Sequence, residues 1–153
     1  MNEIVFLRHG RALSAREAGV ASDAERPLSP LGEAEVRAAS ERLLAAGFAP
    51  DIIISSPYLR AARTADIAAS VFPSARRQTA AALSDGPAQA VIDLVEEAPC
   101  CSALLVGHQP LLGAVAGFRL GDGPLDLSPG GFARIRCGAS PLLIEFYAPA
   151  DAR

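Results

Sequence analysis

An α/β sheet covered by helices on both faces, mainly parallel and finished by an antiparallel edge, is the fold class that this sequence predicts. Three observations point to it. Short apolar runs of strand length, Glu3 to Leu7, Asp51 to Ser55 and Ala103 to Val106, are each followed further along by a helical pattern. The chain closes on two more apolar runs, Phe132 to Cys137 and Leu142 to Tyr147, with Gly130 and Gly131 ahead of them, which reads as a pair of closing strands. With 153 residues, half of them apolar and 20% charged, the chain is long enough for a single domain, 1–153, and too apolar for disorder.

Glu3 to Leu7 reads as the first strand, delivering Arg8, His9 and Gly10 at its carboxyl end. From Arg11 to Pro27 the chain is polar, rich in small residues and without a convincing period, so an irregular loop over the strand ends is expected. Ser29 offers an N-cap with Pro30 at the first helical position, and Leu31, Ala34, Ala38, Leu43 and Leu44 form an apolar stripe that Gly47 ends. After the strand at Asp51 to Ser55, a helical pattern runs from about Leu59 to Val71 and stops before Pro73. Gln78 to Leu83 is a weaker strand candidate, and Ala88 to Glu97 a short helix. Ala103 to Val106 is a strongly apolar strand that leads into Gly107, His108, Gln109 and Pro110, with a helix from about Leu111 to Leu120 behind it. In such sheets ligands bind beyond the carboxyl ends of the strands, so the loops bearing His9, Arg60 and His108 are expected to converge.

Composition removes several classes of function. A formal net charge of −3 gives no broad basic surface for nucleic acid. All 14 basic residues are arginine and about a fifth of the chain is alanine, a compositional bias that weakens any argument from arginine number alone. The apolar runs are far shorter than the roughly 20 residues of a membrane-spanning helix. The start, Met1, Asn2, Glu3, carries no basic leader, so a cytoplasmic protein is expected. Cys100, Cys101 and Cys137 match neither a disulfide framework nor a CxxC motif and are expected to be reduced, mostly buried thiols. There is no Walker loop, and the acidic residues do not group with histidine at metal-ligand spacing, so neither a metal nor another cofactor is expected.

The chain has two histidines, and both stand just beyond an apolar strand run and beside a glycine: His9 before Gly10, His108 after Gly107. A lone histidine at a strand end is ordinarily a hydrogen-bonded residue, but two in matching positions can divide a reaction. One neutral ring can act as nucleophile or base, and a second can be protonated to stabilise anionic charge. Arg8 and Arg60 carry the planar fork that suits phosphate oxygens, and with the two histidines they make a candidate phosphoryl clamp.

The residues themselves carry a resemblance. Arg8, His9 and Gly10 after the first strand look like the RHG motif of the histidine phosphatase, or phosphoglycerate mutase-like, superfamily. Arg26, Pro27, Leu28, Ser29 and Gly32, then Ser55, Ser56, Pro57, Arg60, Ala61 and Thr64, then Val106, Gly107, His108 and Pro110 resemble SixA-type phosphohistidine phosphatases, over residues 1 to about 120. The resemblance implies a three-layer α/β/α sandwich and a metal-free, two-step phosphoryl transfer with His9 as nucleophile. Arg8, Arg60 and His108 would surround the phosphoryl group, which inorganic phosphate or sulfate would mimic. A backbone acceptor in the loop of Gly10 would fix the tautomer of His9.

Two positions depart from that pattern. Arg63 stands where many members have glutamine. Ala82 stands where members commonly carry the glutamate that protonates a leaving alkoxide, with Asp85 the nearest substitute. A phosphoramidate nitrogen needs less help from an enzyme acid than an alkoxide, so the missing acid favours phosphohistidine as substrate. The chain also has little room for the insertions that wall off a small-molecule pocket. A phosphorylated histidine-containing protein, as in bacterial signal transduction, or a small phosphoramidate is therefore the expected partner of a monomeric enzyme. Arg11, Arg16 and Arg26 could face an acidic partner surface. A small-molecule phosphomonoesterase using Asp85, and a phosphate- or partner-binding module without turnover, are the alternatives.

Overall fold

Ile4 to Leu7, Ile52 to Ile54 and Ala103 to Val106 are buried on every residue, the mark of strands covered on both faces. The computed structural model describes residues 3–98 and 102–150, so Cys100 and Cys101 lie outside it. Strands β1 (Glu3–Arg8), β2 (Ile52–Ser55), β3 (Arg76–Thr79), β4 (Ser102–Gly107), β5 (Phe132–Arg136) and β6 (Leu142–Tyr147) form one sheet in the order β3-β2-β4-β1-β5-β6. The pairs β3/β2, β2/β4 and β4/β1 are parallel, and β5 and β6 complete the sheet antiparallel. This is the expected mainly parallel sheet with an antiparallel edge.

Alternate strand residues face opposite helices. On one face Ile4, Phe6, Ile52, Ile54 and Leu105 pack on α5 (Ala88–Glu97) and α6 (Leu111–Arg119) through Val91, Val95, Leu112 and Val115. On the other, Val5, Leu7, Ile53, Leu104 and Val106 pack on α2 (Pro30–Ala45) and α3 (Leu59–Val71) through Ala39, Leu43, Ala61, Ala65 and Ala68. The small residues of α3 let it lie close to the strands, and the result is the three-layer sandwich. Ser29 caps α2 as expected, its Oγ accepting from Gly32 N at 3.0 Å, and Gly47 beyond its end adopts a φ of +88°.

Two expectations need correction. The weaker strand is Arg76–Thr79, not Gln78 to Leu83. It is an exposed edge fixed by its register on β2, Ile52 to Arg76 and Ser55 to Thr79, while the buried Leu83 belongs to the single-turn helix α4 (Ala82–Asp85). The segment from Arg11 to Pro27 is not wholly irregular: it holds α1 (Ala15–Ala18) and a 3-10 turn at Asp23–Glu25. The first is closed by a capping box in which Ser14 and Glu17 exchange hydrogen bonds of 2.9 and 3.1 Å. Both pieces are too short to show a period. Cys137 is half-buried and has no disulfide partner among the described residues.

Candidate functional site

The strands β2, β4 and β1 are neighbours and parallel, so their carboxyl ends open on one side of the sheet. Backbone bonds continue the ladder past the last strand residues: His9 N donates to Gly107 O, and Ser56 N to Val106 O, each at 3.0 Å. His9, Ser56 and His108 are thereby held side by side, and the rings of His9 and His108 have centroids 5.1 Å apart. Arg60, in the first turn of α3, reaches in from the same end and is 7% exposed.

Geometry fixes the tautomer of His9. Its Nδ1 lies 2.7 Å from Gly10 O, and a carbonyl can only accept, so Nδ1 carries the proton. This is the backbone acceptor expected beside Gly10. Nε2 is left with its lone pair, toward which Arg60 Nε donates at 3.3 Å. Gly10 is required here by space: a Cβ would lie 2.6 Å from Gly32 O and 2.9 Å from Val36 Cγ1. Its N–H donates to Thr64 Oγ1 at 3.3 Å, and Thr64 Oγ1 donates in turn to Arg60 O at 2.8 Å.

His108 is held differently. Its Nε2 shares a 2.8 Å hydrogen bond with Ser56 Oγ, which lies 2.7 Å from Ser84 Oγ. Tyr58 packs edge-on against the His108 ring at 5.0 Å between centroids, and its own ring receives the Arg60 guanidinium at 5.2 Å. Burial pushes His9 down to about 3 and His108 down to about 4, against the Gly10 hydrogen bond in the first case; the charge of Arg60 adds to the depression of both. Both rings are neutral at neutral pH.

A pocket of about 410 Å³ opens over these groups, lined by Arg8, His9, Arg11, Arg26, Arg60 and His108 with Gln109. Arg8 donates from Nη1 to Leu127 O at 2.9 Å and keeps a buried Nε without a partner among the described residues; burial holds it below the usual arginine range. A neutral imidazole with an unprotonated nitrogen, facing a pocket of guanidinium groups, can attack an electrophile whose oxygens are negatively charged once that nitrogen gives up the Arg60 hydrogen bond.

The structure thus brings Arg8, His9, Arg60 and His108 together. Asp85 is placed next door, exposed, on a second groove of about 380 Å³ that it shares with Ser84, His108 and Gln109. Arg11 and Arg26 line the first pocket and Arg16 does not. Arg63 points to the helix surface, where it donates to Glu33 at 3.1 and 3.2 Å. Sequence reasoning missed Asp23, whose Oδ2 accepts from Arg60 Nη2 at 2.9 Å and whose carbonyl accepts from Nη1 at 2.7 Å. Its only sign in the sequence is its place three residues before Arg26, which reads as a local loop pair. It also missed Ser84, which has no mark of its own.

Comparison with known proteins adds to this geometry. Residues 4–86 match the family model described as histidine phosphatase superfamily (branch 1). An uncharacterized protein of Picosynechococcus sp. is 36% identical over 146 residues, covering 90% of this chain and 87% of its own. Among solved structures, one from Agrobacterium tumefaciens, assigned as a phosphohistidine phosphatase SixA, superposes with a TM-score of 0.86 at 24% identity, over 97% of this chain and 98% of that one. The protein histidine phosphatase SixA complexed with tungstate gives 0.83 at 22% identity, over 99% of each chain. At these identities the two structures show the fold.

Proposed function

This chain belongs to the histidine phosphatase superfamily (branch 1) and is a hydrolase of that family; we propose that it removes phosphate from a histidine of a partner protein, or from a small phosphoramidate, through a phosphoryl intermediate on His9. The observation that carries the reading is the unprotonated Nε2 of His9, fixed by the 2.7 Å bond from Nδ1 to Gly10 O and accepting from Arg60 Nε at 3.3 Å. In the first step Nε2 attacks phosphorus and the P–N bond of the substrate breaks. A substrate ring that carries a proton on its other nitrogen then leaves as neutral imidazole and needs no enzyme acid. In the second step water attacks the same phosphorus, the bond to Nε2 breaks, and inorganic phosphate departs while His9 returns to its neutral form.

Arg8, Arg60 and His108 would hold the three equatorial oxygens during both steps, in a pocket that holds them before charge develops. Guanidinium groups supply the positive charge in this arrangement, which suits the metal-independent chemistry of the family. The open pocket suits a protein-borne phosphohistidine, and Arg11 and Arg26 on its rim suit an acidic partner surface. A monomeric, cytoplasmic enzyme of bacterial signal transduction fits this reading. A phosphomonoesterase is the second reading, and the placement of Asp85 on a groove adjoining His108 is what favours it.

The test is phosphate release from a phosphorylated histidine-containing phosphotransfer domain, beside a simple aryl phosphate, with His9→Ala as control. Release from the protein substrate, lost in the variant, is the expected result. Release from the aryl ester alone would move the assignment to the phosphomonoesterase and to Asp85.

A further inference from the structure

We propose that Asp23 is a positioning residue for Arg60, a clamp carried on the loop over the site that holds the Nε edge of the guanidinium beside His9, where it can pass from Nε2 to the oxygens of an incoming phosphoryl group. The inference rests on reading Arg60 as a phosphoryl-holding group. Arg60 makes its two shortest side-chain hydrogen bonds to Asp23, from Nη1 to the carbonyl oxygen at 2.7 Å and from Nη2 to Oδ2 at 2.9 Å. These grip the outer edge of the planar fork. The remaining bond, the 3.3 Å contact from Nε to His9 Nε2, lies on the inner edge. Because the guanidinium is rigid and planar, fixing one edge fixes the other, and a long side chain that would otherwise sample many rotamers is held for the reaction.

Asp23 is itself anchored. Its Oδ1 accepts from Arg26 Nη1 at 2.9 Å, and Arg26 Nε donates to Leu13 O at 2.8 Å, so a chain of bonds runs from the loop base through Arg26, Asp23 and Arg60 to His9. This clamp is separable from folding. The 3-10 turn that carries Asp23 buries no residue. The base of the loop is closed independently by Leu13 N donating to Pro27 O and Ser29 N to Arg11 O, each at 2.9 Å. The opposite role is also chemically open to a carboxylate at this place: it could compete with an anionic phosphoryl group for Arg60. The two roles differ in the sign of one substitution.

The experiment measures binding of inorganic phosphate by calorimetry and the Nε–H resonance of Arg60 by ¹⁵N NMR, in the wild-type chain, Asp23→Ala and Asp23→Asn. A clamp predicts that Asp23→Ala weakens phosphate about tenfold, the scale of one charge-assisted hydrogen bond, and broadens the Arg60 resonance. Asp23→Asn keeps an acceptor oxygen and retains most of both. Equal or tighter phosphate binding by Asp23→Ala, or an unchanged Arg60 resonance, overturns the proposal. Neither readout needs turnover: a wild-type chain that fails to release phosphate from phosphohistidine contradicts the proposed function, while the Arg60 resonance still decides the clamp.

Discussion

His9 and His108 pay for their readiness in proton affinity. Both are buried, and both have folded-state values, about 3 and about 4, below the ordinary 6.5 of an unfolded histidine. Above about pH 6.5 both states are neutral and the rings cost nothing. As pH falls below that value the unfolded chain takes up protons that the folded chain refuses, so stability declines until the folded values are reached. Each ring contributes a slope of up to about 1.4 kcal/mol per pH unit in that window. Urea unfolding between pH 6.5 and pH 4.5 should show the decline, and His9→Gln and His108→Gln should each flatten it. A slope unchanged in both variants would show that the rings are not buried as neutral groups. Arg60→Ala should lower phosphoryl transfer by two or more orders of magnitude, on the scale of removing a preorganised donor to a developing charge, about 10²-fold or more. Single-turnover kinetics would measure it.

Elements fix where these residues stand, and Gly10 shows how tightly. A methyl group there would meet the backbone of Gly32 in the first turn of α2 at 2.6 Å. Gly10→Ala should therefore cost on the order of 2 kcal/mol of stability, read by denaturant unfolding, and should also displace the carbonyl that orients His9. An unchanged midpoint would mean that the loop moves aside freely. The same scale shows what a sequence can and cannot reveal. The strands β1, β2 and β4 were legible because both faces are covered, so nearly every residue had to be apolar. The helix α2 was legible from its Ser29 cap and Pro30. The edge strand β3 was not, because Arg76, Arg77, Gln78 and Thr79 are all exposed and are strands only through their pairing with β2. The pieces α1 and Asp23–Glu25 were not, since three or four residues without a buried side chain carry no period.

In the whole molecule, strand order converts three separate motifs into one site. Parallel neighbours β2, β4 and β1 place the residues that follow them on one side, which is why His9, Arg60 and His108 could be expected to meet from the sequence. What could not be expected is the loop that folds back over them. Asp23 is placed by a turn of the chain, and Ser84 by α4, which the buried Leu83 anchors to the core; neither position depends on a local pattern. The antiparallel addition of β5 and β6 completes the sheet, and the apolar run of β6 that suggested a strand leaves Leu142 and Phe146 about half exposed.

The proposed reaction requires a phosphoryl group at one nitrogen of one residue. Rapid-quench labelling with an isotopically labelled phosphoramidate, under base-stable conditions, followed by mapping of the labelled peptide and of the ring nitrogen that bears phosphorus, is the most direct measurement. Label is expected on His9 at Nε2 and absent in His9→Ala. Label at Nδ1, label on another residue, or phosphate release that persists in His9→Ala would contradict it.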